Sequence, residues 1–139
     1  MFTAKNKVRM HDTDMAGVLY FPRLFRFAHD AWEDLMEKED LNFTHLFNES
    51  PFTFLIVHCE ANFFLQLQVG QKIETHVEIE KIGNTSFTIS YKMFRGQELV
   101  GNAKTVHVTL ERTTRKKMNI PLELKEKLQR YLPDASLRT

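Results

Sequence analysis

Apolar and polar positions change period partway along the chain. Between Arg23 and Glu39, Leu24, Phe27, Ala28, Ala31, Trp32, Leu35 and Met36 recur at three- and four-residue spacing. That spacing predicts one long amphipathic helix with a broad buried face. Arg26, Asp30, Asp34, Glu37 and Lys38 lie mostly away from that face, and Trp32 reads as core packing. Pro22 marks the start, because proline in a first turn gives up an N–H that has no intrahelical partner. Asn42 to Pro51 has loop composition. From Phe52 onward the signal is of strands. Lys72–Lys81 sets Ile73, Val77 and Ile79 against Lys72, Glu74, Glu78 and Glu80. Phe87, Ile89, Tyr91 and Met93 alternate next, and Leu99–Glu111 follows with Val106, Val108 and Leu110 on one face. Val69-Gly70-Gln71, Gly83-Asn84 and Arg95-Gly96-Gln97 are the turns between them. Phe52–Leu65 is apolar on both sides, so burial on both faces or a bulge is expected there. Phe2–His11 is a weakly patterned first strand, and Pro121 opens a short helix to about Tyr131 with Leu124 and Leu128 facing inward.

Strand, long helix, then an antiparallel meander is an α+β arrangement of one helix and about five strands. The 139 residues form one domain, 1–139, with no repeat or linker. One helix cannot cover a sheet of that size, so the remaining apolar surface and the sheet edges predict a homo-oligomer. Twelve phenylalanines in a chain that is 42% hydrophobic and 27% charged point the same way.

A net charge of +1 gives no reason to expect a nucleic-acid partner. No signal core and no run of about 20 apolar residues is present, which argues against a membrane and for the cytoplasm. Cys59 is the single cysteine, so an intrachain disulfide and a multi-cysteine zinc site are excluded. Its apolar neighbours make it read as a buried thiol of a reducing compartment.

The chemistry concentrates at Asp12-Thr13-Asp14-Met15-Ala16-Gly17-Val18-Leu19-Tyr20-Phe21-Pro22. Gly17 lets a loop run close to a ligand. Asp14, ahead of a helix N-terminus, would be favoured in its ionised form. It could then attack an acyl carbon or activate water. Pro22 pushes Phe21 out of the helical region, leaving the Phe21 N–H free to polarise a carbonyl oxygen. Spacing alone equally allows Asp14 to be a turn or cap residue. His58, in an apolar strand, reads as a buried histidine with a pocket-lining role behind that. Glu33, four residues after His29, reads as a solvated or interface side chain. Arg112, Arg115, Lys116 and Lys117 are either a solvated face or cationic partners for phosphate groups.

The Asp12–Phe21 motif resembles the signature of the 4-hydroxybenzoyl-CoA thioesterase family, of hotdog fold, and the resemblance runs from about Val8 to Leu132. It implies a sheet wrapped around the central helix, with dimers joined edge to edge and dimers commonly paired into tetramers. It implies that Asp14 is the nucleophile or general base and that the Phe21 N–H holds the thioester carbonyl. Gly17, Tyr20, His58, Arg115, Lys116 and Lys117 would line the acyl-CoA site, with no metal or other cofactor, coenzyme A being part of the substrate. Tyr20-Phe21, His29-Asp30-Ala31-Trp32-Glu33 and Val57-His58-Cys59-Glu60 resemble the 1,4-dihydroxy-2-naphthoyl-CoA thioesterases. Three other readings stay open: an aliphatic acyl-CoA as substrate, a non-catalytic acyl-CoA-binding protein of the same fold, and an enzyme of that fold with different chemistry, such as a hydratase.

Overall fold

The computed structural model describes residues 1–133 apart from 43 and 45–47, so part of the Asn42–Pro51 loop lies outside the described residues. Five strands, β1 (Phe2–Lys7), β2 (Phe52–Phe63), β3 (Lys72–Ile82), β4 (Ser86–Arg95) and β5 (Glu98–Glu111), form one antiparallel sheet in the order β1-β3-β4-β5-β2. Helix α1 (Leu24–Lys38) carries the buried row expected of it, with Phe27, Ala28, Ala31 and Met36 fully enclosed. Each large side chain so enclosed contributes roughly 2 kcal/mol of transfer free energy. Sheet and helix together make the hotdog arrangement.

The strand face turned to α1 is more polar than the hydrophobic pattern suggests. On β5 the inner row is Ala103, Thr105, His107 and Thr109, and not Val106, Val108 and Leu110. Thr105 Oγ1 lies 3.0 Å from the Tyr91 hydroxyl and 2.9 Å from His107 Nε2. The imidazole stacks on Phe87, with centroids 5.1 Å apart and planes 2° apart, and meets Trp32 at 5.2 Å. Burial, with His29 nearby, pushes the His107 pKa down to about 4, so the ring is neutral at pH 7.

The C-terminal helix α2 (Leu122–Gln129) buries Leu124 and Leu128 and is fastened to the end of α1. Buried Glu39 accepts hydrogen bonds from Tyr131 Oη and Arg130 Nη1, both at 2.8 Å.

Strand β2 corrects two expectations. Its register shifts between Ile56 and His58, which is the bulge, but it is the sheet edge and is not buried on both faces. Leu55, Val57, Cys59 and Phe64 are exposed, so Cys59 is not a buried thiol in the single chain. Periodicity reports how apolar a strand is, not whether its neighbour comes from the same chain. Among the described residues no helix is long and apolar enough to cross a membrane.

Candidate active site

Between β1 and α1 the chain makes a small ladder of its own. β1 stops at Lys7, short of the expected His11, and a 3-10 turn covers Met10–Asp12. The chain then doubles back. Asp14 N–H donates to the Val18 carbonyl (3.0 Å), Thr13 bridges Leu19, and Tyr20 N–H donates to the Asp12 carbonyl (2.9 Å). The tip closes with Gly17 N–H on the Asp14 carbonyl at 3.0 Å. Gly17 has φ +79°, a conformation that a Cβ would strain although nothing lies within 4 Å of where one would sit. Leu19 N–H donates to the Leu67 carbonyl (2.7 Å), which pins the ladder beside the segment that follows β2.

Asp14 is exposed on this ladder. Its Oδ1 accepts one hydrogen bond, from Ala16 N–H at 2.8 Å, and none from the first turn of α1. Its orientation therefore comes from the turn and not from the helix N-terminus that its place in the sequence suggested. A second 3-10 turn, Phe21–Arg23, carries Pro22 and leads into α1. Tyr20 N–H and Arg23 N–H both find backbone acceptors, while the Phe21 N–H makes no hydrogen bond to any described residue. Asp14 and Phe21 stand about three ladder positions apart, roughly 10 Å along the backbone. A carboxylate and a thioester carbonyl, each in contact at about 3 Å, can fill that span. The Tyr20 and Phe21 rings lie 5.6 Å apart and both are exposed, giving the site an apolar rim.

Asp12 is the buried member of the acidic pair. Its carboxylate is wholly inaccessible and takes Arg26 Nε on Oδ1 at 2.7 Å and Arg26 Nη2 on Oδ2 at 2.5 Å. Arg9 N–H adds a third bond to Oδ2 at 2.8 Å, and Arg23 Nε stands 3.5 Å from Oδ1. Burial opposes the charge, but the Arg26 and Arg9 hydrogen bonds outweigh it and hold the carboxyl below the usual carboxylate range. Arg26 thus faces the loop instead of bulk water, and its Nη1 also reaches Asp30 at 2.9 Å. An aspartate followed 14 positions later by an arginine on the flank of the helix is the only sequence signal of this pair.

The remaining expected site residues are not gathered here. His58 is exposed on the edge strand, with Nε2 3.9 Å from Glu60 Oε1, and is not the buried histidine its neighbours suggested. Glu33 is exposed on α1. Arg115, Lys116 and Lys117 lie where β5 ends, Lys117 bridging Leu110 and Arg115 N–H on the Glu111 carbonyl. Asp14 is tied to the other end of the β2–β5 ladder, so about 30 Å of strand separates it from the cluster within one chain. A cavity of about 550 Å³, lined among others by Leu41, Phe52, Met118 and Leu124, lies at the far end of α1 from Asp14. No group of three histidine, cysteine, aspartate or glutamate side chains among the described residues is placed to hold a metal ion.

Residues 8–128 match the thioesterase-like superfamily. The chain belongs to that superfamily. This thioesterase-like protein is 39% identical over 120 residues to a 1,4-dihydroxy-2-naphthoyl-CoA hydrolase of Prochlorococcus marinus, covering 81% of this chain and 77% of the relative. It is 33% identical to the Nostoc punctiforme protein of the same name, over 96% of this chain and 90% of that one. Its fold superposes on a 1,4-dihydroxy-2-naphthoyl-CoA thioesterase from Synechocystis with a TM-score of 0.87 at 26% identity, over 97% of both chains.

Proposed function

We propose that this thioesterase-like protein hydrolyses 1,4-dihydroxy-2-naphthoyl-CoA to the free acid and CoA. The observation that carries the chemistry is an exposed carboxylate, Asp14, held on a hydrogen-bonded ladder that ends at an unused N–H, Phe21. The relatives named for that substrate support the acyl group. The Phe21 N–H takes the thioester oxygen and stabilises the oxyanion. Asp14 either attacks the acyl carbon, giving a mixed anhydride that water then opens, or takes the proton of a water that attacks it. In both routes a C–O bond replaces the C–S bond and the sulfur leaves as CoA thiolate, which is then protonated. Gly17 keeps the turn compact, and Tyr20 offers an aromatic wall to the acyl ring.

The phosphates of CoA need cations, and the cluster within one chain is too far away to supply them. A second copy removes the difficulty. The exposed, apolar β2 edge suits antiparallel pairing with itself about a two-fold axis. Such pairing sets the Asp14 end of one copy beside the Arg115–Lys117 end of the other. The dimer would then contain two composite sites, bring His58 and Cys59 into the interface, and leave pairing into tetramers as a further step. The reading places the protein in the cytoplasm.

Thiol release from a panel of acyl-CoAs tests the assignment. 1,4-Dihydroxy-2-naphthoyl-CoA should give the highest kcat/KM. Faster cleavage of aliphatic acyl-CoAs would overturn the substrate, and no release from any thioester would overturn the reaction.

A further inference from the structure

Asp12 brackets the Asp14 loop from two directions. Its carbonyl receives Tyr20 N–H, so the next donor along the chain, the Phe21 N–H, is left unbonded and pointed by that anchor. Its carboxylate receives Arg9 N–H on the strand side and the Arg26 guanidinium fork on the helix side. Arg26 in turn reaches the Lys7 carbonyl (3.3 Å) and Asp30 (2.9 Å), and Arg23 Nη2 reaches the His11 carbonyl (3.2 Å). The end of β1, the ladder and the first turn of α1 therefore meet at one buried carboxylate, two residues from Asp14. The carboxylate is wholly enclosed, so Asp12 has no access to substrate, and Arg26 is occupied by it and not free for CoA phosphate.

We propose that Asp12 and Arg26 are a positioning pair for the hydrolysis assigned above, setting the relative placement of the Asp14 carboxylate and the Phe21 N–H. The proposal rests on that assignment of Asp14 and Phe21. The fork makes it specific: two parallel N–H···O bonds fix orientation as well as distance, which a single cation does not do. A misplacement of about 1 Å at the reacting groups costs on the order of 10²-fold in rate.

Asp12→Asn puts a neutral amide against the half-buried Arg26 fork, which keeps Asp30 as its counter-charge, and would loosen the fold as well as the pair. The informative variant is therefore Arg26→Lys, which keeps the charge and loses the fork. Its kcat should fall about 10- to 100-fold with KM within about twofold of wild type, because the acyl-CoA contacts are untouched. The double variant Asp12→Asn/Arg26→Gln, with no buried charge, should fold and show the same kcat defect. Amide hydrogen exchange supplies a readout without substrate: Tyr20 and Asp14 should exchange at least about tenfold faster in Arg26→Lys, with β4 and β5 unchanged. Faster exchange with undiminished kcat would overturn the positioning role, as would unchanged exchange at both amides. A wild type that releases no thiol would overturn the hydrolase assignment alone, and the exchange result would still decide whether the pair holds the loop.

Discussion

At Gly101 of β5 both β2 and α1 come within contact of where a Cβ would sit, and replacing it by alanine probes all three. It is buried on β5, paired with Phe63 of β2 and Met93 of β4. A Cβ there would sit 2.8 Å from the Asn62 carbonyl oxygen and 3.3 Å from Leu24 Cδ2. The leucine can turn aside, but the carbonyl belongs to the backbone of the neighbouring strand, so β2 must move by about half an ångström. Overpacking of this kind costs about 2 kcal/mol, and the stiffer unfolded chain of an alanine variant returns about 0.5 of that. The net loss of roughly 1.5 kcal/mol corresponds to a fall of about 5 °C in Tm for a domain of this size. Thermal melts and urea unfolding at pH 7 measure it, with the urea m-value expected to stay constant. Because Leu24 begins α1 directly after the Phe21–Arg23 turn, kcat should drop with stability. A Gly101→Ala protein as stable as wild type would show that the β2 edge is loose against β5, and the reasoning about a rigid ladder beside the site would fail.

Two further outcomes concern the core. The His107 pKa falls from 6.5 to about 4 on folding, so below pH 6.5 the unfolded chain binds a proton that the folded chain refuses. Stability is then full above pH 6.5 and falls by up to about 3 kcal/mol as the pH approaches 4. His107→Phe should flatten that decline in urea titrations at pH 7 and 4.5, and an equally steep decline in the variant would assign it to other groups. Tyr131→Phe removes the hydroxyl from Glu39 Oε1 and should cost about 1.5 kcal/mol, with Arg130 retaining its hold on the same carboxylate. A wild-type Tm in this variant would mean that the Tyr131 hydroxyl adds nothing to the hold of Glu39 on α2.

Much of the layout is legible in the residues because each element keeps its own period. α1 shows its buried row, the three turns fall at Gly70, Gly83 and Gly96, and Leu124 and Leu128 mark α2. What escapes is information that lies between elements. Asp12 looks like a loop acid until Arg26 is seen to fold back onto it from α1. β2 looks like a core strand because it is apolar on both sides, whereas its place at the edge is set by strand order. The inward row of β5 is hidden because Thr105, His107 and Thr109 satisfy burial partly through the Tyr91–Thr105–His107 contacts and partly by ring stacking. The distance from Asp14 to Arg115–Lys117 depends on which end of the ladder each occupies, which spacing along the chain does not report. The Asp14-to-Phe21 motif is legible as a motif, but the ladder that separates its two groups is visible only once Tyr20 is paired with Asp12.

The most direct measurement is kcat for thiol release from 1,4-dihydroxy-2-naphthoyl-CoA by wild type, Asp14→Asn and Glu33→Gln, each checked by its melting curve. Asp14 has one side-chain hydrogen bond, to Ala16 N–H, and asparagine can still accept it, so that variant should melt as wild type does. Its kcat should fall by at least about 10²-fold, as removal of a general base or nucleophile requires, while Glu33→Gln stays within a few-fold. Substantial turnover in a folded Asp14→Asn protein, or a collapse in Glu33→Gln instead, would contradict the assignment of the loop carboxylate as the catalytic group.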